Sequence, residues 1–123
     1  MRYVARVRVD DIAAAHSLPG HPGECARPHG HTWAFEATVG TDRLDGDMVA
    51  DFTVLKGVFK RLDHTSLNDD PEITADGHRP TAERVAEVLA ARLQRAMDEL
   101  PNRPRVLALV VRETARNEVV FTP

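Results

Sequence analysis

Two stretches with the two-residue period of a half-buried strand, parted by a loop dense in turn residues, constrain this chain more than anything else in its sequence. Tyr3, Ala5, Val7 and Val9 alternate with Arg2, Arg6 and Arg8. Successive strand side chains point to opposite faces, so this pattern makes one face apolar and the other polar. The strand is expected to run to about Ala15. After Ser17-Leu18-Pro19-Gly20-His21-Pro22-Gly23, the residues His31, Trp33, Phe35, Ala37 and Val39 alternate with Thr32, Glu36 and Thr38, which predicts a second strand.

The period then changes. Asp51 precedes Phe52, Leu55, Val58, Phe59 and Leu62 at helical spacing, with Asp51 as the expected N-cap. Pro80-Thr81 opens a longer helix with Val85, Val88, Leu89, Leu93, Ala96, Met97 and Leu100 on one stripe, stopped before Pro101. The linker from Thr65 to Arg79 is long for a compact domain, and such loops are more often functional than idle. Val106 to Glu113 and Glu118 to Phe121 close the chain as two further strands. The order strand, strand, helix, helix, strand, strand predicts an α+β fold, with both helices on one face of a four-stranded antiparallel sheet. Its edges stay unpaired unless neighbouring chains cover them, so oligomerisation through the edges is expected on physical grounds.

At 123 residues the chain is read as a single domain spanning 1–123. A net charge of -3 and a pI near 6.0 exclude a general polyanion binder, so neither nucleic acid nor an anionic membrane is expected as a partner. With one cysteine, Cys25, no intramolecular disulfide can form, and a reducing, cytoplasmic setting is expected. The first residues lack an apolar leader core and no later apolar run approaches spanning length, so neither export nor membrane insertion is expected.

Chemistry concentrates in Cys25-Ala26-Arg27-Pro28-His29-Gly30-His31. Strand residues two apart share a face, so His29 and His31 can offer imidazoles to one metal ion, and antiparallel pairing can bring His16 opposite them. Three neutral nitrogens leave one zinc position open, the arrangement of a catalytic site; a solvated surface pair is the competing reading of His-x-His. Cys25 reads either as a fourth ligand or as a small buried residue, though its Pro/Gly-rich loop argues against plain packing. Asp63-His64 can form an acid/base pair, or His64 can simply complement a helix C-terminus. Glu113, at the end of an apolar strand, can grip a guanidine-like ring edge in bidentate fashion, or can be a solvated strand terminus. His21 and His78 have no evident partner.

These residues together resemble the family of 6-pyruvoyl-tetrahydropterin and 6-carboxy-tetrahydropterin synthases. The match runs through Ala14-Ala15-His16, Cys25 with His29-Gly30-His31, Asp51-Phe52 with Leu55-Lys56, Leu62-Asp63-His64 with Leu67-Asn68, Pro80-Thr81-Ala82-Glu83, and Glu113-Thr114. The resemblance implies the tunnelling fold, whose β-β-α-α-β-β subunits assemble into oligomeric barrels, commonly a homohexamer of two trimers. It implies zinc on His16, His29 and His31, with Cys25, Asp63 and His64 as proton-transfer groups. Glu113 and Thr81 would meet the pterin, and Asp63 and His64 would serve a neighbouring chain's zinc. The implied activity converts 7,8-dihydroneopterin triphosphate to 6-carboxy-5,6,7,8-tetrahydropterin, acetaldehyde and triphosphate, toward queuosine and other 7-deazapurines. The three residues between Cys25 and His29 favour that branch. The alternatives are triphosphate elimination to the pyruvoyl product, without acetaldehyde, and a noncatalytic metal- or pterin-binding module, whose sign would be loss of Cys25 or His64. The chain departs from the family's usual pattern at Ile12, Trp33 and Arg84, and Arg84 is expected to bring a new charge to the substrate region. Lys56, Lys60, Arg61 and Arg79 are candidates for the triphosphate.

Overall fold

The computed structural model describes residues 1–123. Its main elements are β1 (Tyr3–His16), β2 (His29–Thr41), α1 (Phe52–Lys60), β3 (Thr65–Ser66), α2 (Ala82–Asp98), β4 (Arg105–Thr114) and β5 (Asn117–Phe121). The four long strands pair antiparallel as expected, but the sheet has five strands in the order β3-β1-β2-β4-β5. The addition is β3, which pairs parallel with Ala14 and Ala15 of β1 and makes the sheet mixed. Backbone groups along the outer edge of β1 need partners, and the start of the presumed linker supplies them.

Both helices begin on side-chain caps. The Asp51 carboxylate accepts the Thr53 N–H at 2.9 Å, and the Thr81 hydroxyl accepts the Arg84 N–H at 3.1 Å. Val85, Val88, Leu89, Leu93 and Met97 of α2, with Leu55 and Phe59 of α1, pack on the face that Trp33, Phe35, Ala37 and Val39 present from β2. Each large side chain so buried contributes roughly 1.5–3 kcal/mol against the chain entropy lost on folding. The opposite face carries Arg6, Arg8, Glu36 and Arg112, with the Arg112 guanidinium 3.0 Å from Glu118 and 3.7 Å from Glu36.

One irregularity decides which way the end of β1 faces. Val7 and Val9 point into the core, and an unbroken period of two would carry Ala13 and Ala15 inward and His16 outward. Instead Val9 pairs with Phe35 and Ile12 with Trp33, so one extra residue is absorbed in between. Asp11 takes a left-handed conformation there (φ 62°), which Asp tolerates better than most residues. The phase resets, and Ile12, Ala14 and His16 are the buried residues that follow. A second register shift, between Arg112 and Thr114, makes Glu113 the extra residue of β4.

The long linker is fastened rather than loose. Arg92 donates to Asp70 at 2.6 and 2.8 Å and to Glu72 at 2.6 Å, while Arg95 reaches Glu72 at 3.0 and 3.1 Å. Burial pushes the Asp70 and Glu72 carboxyls up, but the guanidinium hydrogen bonds and charges outweigh it, and both titrate below the ordinary carboxylate range. Arg84 turns onto the same linker, donating to the carbonyls of Ile73 and Glu72 at 2.9 Å each. The expectation that Arg84 brings a charge to the substrate region is therefore corrected: its guanidinium caps loop carbonyls and stands 3.5 Å from Glu87.

Candidate active site

His16 ends β1, while His29 and His31 begin β2; His29 and His31 share the helix-bearing face of Trp33 and Phe35 by alternation, and the bulge at Asp10-Asp11 turns His16 onto the same face. One ring nitrogen from each falls within 4.8 Å of the others. The His16 Nδ1 donates to the carbonyl of Pro80 at 2.8 Å and the His29 Nδ1 to that of Arg27 at 2.7 Å. A carbonyl only accepts, so each Nδ1 carries a proton, and it is the Nε2 that is left to offer a lone pair when the ring is in its neutral tautomer. The Nε2 atoms of His16, His29 and His31 are all buried without a hydrogen-bond partner. Orphaned buried acceptors are costly, and three that converge form a donor set suited to a divalent metal such as zinc. Burial, chiefly, together with the neighbouring His16 and His29, holds the His31 imidazole below its ordinary pKa despite the nearby Glu113 carboxylate, which keeps it in the neutral, ligating form. The Trp33 ring backs the cluster, 5.1 Å from the His16 ring and 5.6 Å from the His31 ring, and its indole N–H is spent on the Ala14 carbonyl at 3.1 Å.

Glu113 joins this end of the sheet. Its carboxylate oxygens stand 3.5 Å from His31 Nε2 and 3.7 Å from His16 Nε2, so the solvated-terminus reading does not hold. Thr81 lines a cleft with Glu113, Arg79, Glu83, His21 and Leu18; its oxygen accepts the helix-capping bond and its hydroxyl proton remains free for a ligand. Cys25 lies in a short 3-10 turn, Glu24–Ala26, and is exposed. It is outside the three-histidine group, hence neither a fourth ligand nor a core residue. Its carbonyl accepts the Leu18 N–H at 2.8 Å, which ties its loop to the segment just beyond His16.

Asp63 and His64 sit elsewhere, on the outer edge of β1. The Asp63 Oδ1 accepts the Ala13 N–H at 2.8 Å, and the His64 N–H donates to the Ala13 carbonyl at 2.6 Å. His64 Nδ1 lies 3.0 Å from the same Asp63 oxygen, and its side chain is 83% exposed, which leaves Nε2 open to any group that approaches. The helix-dipole reading of His64 fails, because α1 ends at Lys60 and His64 follows in a left-handed conformation (φ 60°). The Ala13 N–H, first, and then His64 hold the Asp63 carboxyl below its ordinary range. The ionised form of Asp63 is thereby favoured, and its Oδ1 faces the His64 imidazole. The cavity beside His64 is lined by Arg61, Thr65, Ser66, Asp69 and Arg92, none of them part of the histidine cluster. Of the triphosphate candidates, Arg61 lines that cavity and Arg79 the cleft of Glu113, whereas Lys56 and Lys60 line neither.

Two contributions to the site were not assigned from the sequence. Pro80 fixes His16 through a carbonyl, for which side-chain identity gives no signal. Arg92 had a signal, a basic residue on the apolar flank of a helix, but its acidic partners lie some twenty positions away in a loop.

An α+β sheet with two helices on one face, whose strands bring three imidazoles together in a group that could hold one metal ion, defines the class as the tunnelling fold. Residues 6–123 match the family model described as 6-pyruvoyl tetrahydropterin synthase, and the chain belongs to that family. It is 38% identical over 117 residues to the 6-carboxy-5,6,7,8-tetrahydropterin synthase of Bacillus subtilis (strain 168), covering 91% of this chain and 80% of that one. The protein of the same name from Synechocystis sp. is 40% identical over 93 residues, covering 68% and 69%. Among solved structures, the 6-pyruvoyl tetrahydropterin synthase of Caenorhabditis elegans superposes with a TM-score of 0.72 at 22% identity, over 98% of this chain and 96% of that one. That likeness confirms the fold.

Proposed function

We propose that the chain acts as a 6-carboxy-5,6,7,8-tetrahydropterin synthase, converting 7,8-dihydroneopterin triphosphate to 6-carboxy-5,6,7,8-tetrahydropterin, acetaldehyde and triphosphate. The observation that carries this reading is the convergence of three buried, unpartnered Nε2 atoms from His16, His29 and His31, in a chain whose relatives bear that name at 38% and 40% identity. Zinc is the metal that best suits three imidazoles with an open position. When bound it would acidify the hydroxyls of the substrate side chain and stabilise developing negative charge.

The chain's own residues supply the rest. Glu113 accepts the paired N–H donors of the pterin edge, which fixes the ring against the histidines, and the Thr81 hydroxyl contributes a hydrogen bond from the same cleft. His64 moves a proton at Nε2 while Asp63 holds the other ring nitrogen, so the imidazole is oriented for the transfer. Cys25, on the loop tied to Leu18, is the second proton-transfer group. Because Asp63 and His64 open onto a cavity apart from the histidine cluster, they serve the zinc of a neighbouring chain. The working unit in this reading is a homo-oligomer, a homohexamer of two trimers, acting in the cytoplasm on a small-molecule substrate. No helix is long and apolar enough to cross a membrane.

The test is incubation of zinc-loaded protein with 7,8-dihydroneopterin triphosphate, with the pterin identified by mass spectrometry and acetaldehyde assayed in parallel. Carboxy-tetrahydropterin with stoichiometric acetaldehyde is expected. The second reading, triphosphate elimination, draws on the name of the matching family model, and a pyruvoyl-pterin product without acetaldehyde would establish it instead. Bound zinc with no turnover would overturn both and leave a binding module.

A further inference from the structure

The segment from Asp63 to Asn68 is laid along the open edge of β1 residue by residue. Asp63 and His64 take both backbone groups of Ala13, Thr65 and Ser66 pair with Ala14 and Ala15, and Leu67 turns inward as a buried core residue. At the far end a side chain replaces the ladder. The Asn68 amide oxygen accepts the Ser17 N–H at 2.8 Å, and its amide nitrogen donates to the Ser17 carbonyl at 3.0 Å. A primary amide presents a donor and an acceptor side by side, so it can occupy both polar groups of one backbone residue as a paired strand would. Ser17 lies between two groups that must be held: His16 precedes it, and Leu18, whose N–H anchors the Cys25 carbonyl, follows.

We infer that Asn68 is a positioning residue for the metal centre: by gripping Ser17 on both sides it fixes the His16 imidazole against Pro80 and the root of the Cys25 loop. This rests on the proposed metal site. The backbone of β1 is ladder-bonded to β2 through the His16–His29 pair and no further, and at the next residue it is the Asn68 amide that takes both polar groups of Ser17. Without that grip the His16 ring gains freedom to leave the Pro80 carbonyl, and its Nε2 is no longer aimed. Partners that orient a ligating histidine typically matter by 10–100-fold in metal affinity.

The test compares wild type with Asn68→Ala, and with the isosteric Asn68→Asp, which keeps the acceptor but sets a carboxylate oxygen against the Ser17 carbonyl. Zinc affinity is read by competition with a chromophoric chelator, and geometry by the visible spectrum of the cobalt(II)-substituted protein. Both variants are expected to bind zinc at least about tenfold more weakly with an altered cobalt spectrum. Thr41→Val, which removes a hydroxyl bond to the Arg43 carbonyl at the far end of β2, should lower stability and leave both readings unchanged. A folded Asn68 variant with zinc affinity within about twofold of wild type and the same cobalt spectrum would overturn the inference. If wild type itself takes no zinc, the metal reading fails, and imidazole nitrogen NMR of the metal-free protein decides for Asn68. Loss of the single Nδ1–H tautomer at His16 in the variants supports the role, and its retention refutes it.

Discussion

The two ends of the proposed chemistry are held by different means. The histidine cluster rests on strand register: two long antiparallel strands, pinned along their length, deliver three rings to one point, and Trp33 packs behind them. The acid/base pair rests on a two-residue strand, two side chains that imitate a ladder, and an ionic clamp from α2 onto the linker. Where the ladder is continuous, register tolerates the loss of a single side chain that is not itself a ligand. A clamp made of a few side chains does not. The first end should therefore fail by removal of a ligand or, more mildly, by loss of the Asn68 grip at the end of β1, and the second by changes at a distance.

The largest expected effect is at the first end. His31→Ala should take zinc content to near zero and turnover below detection, with circular dichroism and oligomeric state retained; a variant that keeps its zinc would refute the three-histidine centre. Next comes His64→Ala, expected to lose about 10²–10⁴-fold in kcat with zinc content unchanged. Mixing it with His31→Ala under subunit exchange should restore part of the activity, since some sites in mixed assemblies combine an intact cluster with an intact His64. Absence of recovery, where exchange is demonstrated, would place Asp63 and His64 at their own chain's metal.

The smallest effect tests the clamp. Arg92→Leu should cost about 1–3 kcal/mol in urea unfolding by leaving Asp70 and Glu72 without their guanidinium. Both carboxyls titrate below their ordinary values in the folded chain, so they stabilise it fully above the unfolded carboxylate range and less as pH falls through the folded pKa values. The wild-type urea midpoint should drop on acidification from neutral pH toward pH 3, and that of Arg92→Leu should drop less. Parallel curves would show that the clamp contributes nothing to stability.

Local patterns were legible and distant partners were not. Alternation and cap residues located the four long strands and both helices, and residue type with two-residue spacing singled out His29 and His31. Antiparallel pairing brings His16 opposite them as expected, but the reason it faces the core was not legible, because the phase of Val7 and Val9 aims it the other way and only the absorbed residue near Asp11 corrects this. Pairing register belongs to two strands at once. Thr65–Ser66 is too short to show a period, and it exists because the edge of β1 needs partners. Arg84 was misplaced for a related reason: its backbone does lie at the start of the second helix, but a long side chain reaches the carbonyls of Glu72 and Ile73 in the linker.

Trp33 gives the cluster a voice of its own. It is the chain's only tryptophan, fully buried, and it stands edge-on to both His16 and His31. Imidazolium and many metal ions quench or shift indole emission at such distances, while a neutral, empty imidazole does so weakly. The tryptophan emission of this protein, excited where Tyr3 does not absorb, is thus a report from one place, and it registers the state of His16 and His31 without any label being added.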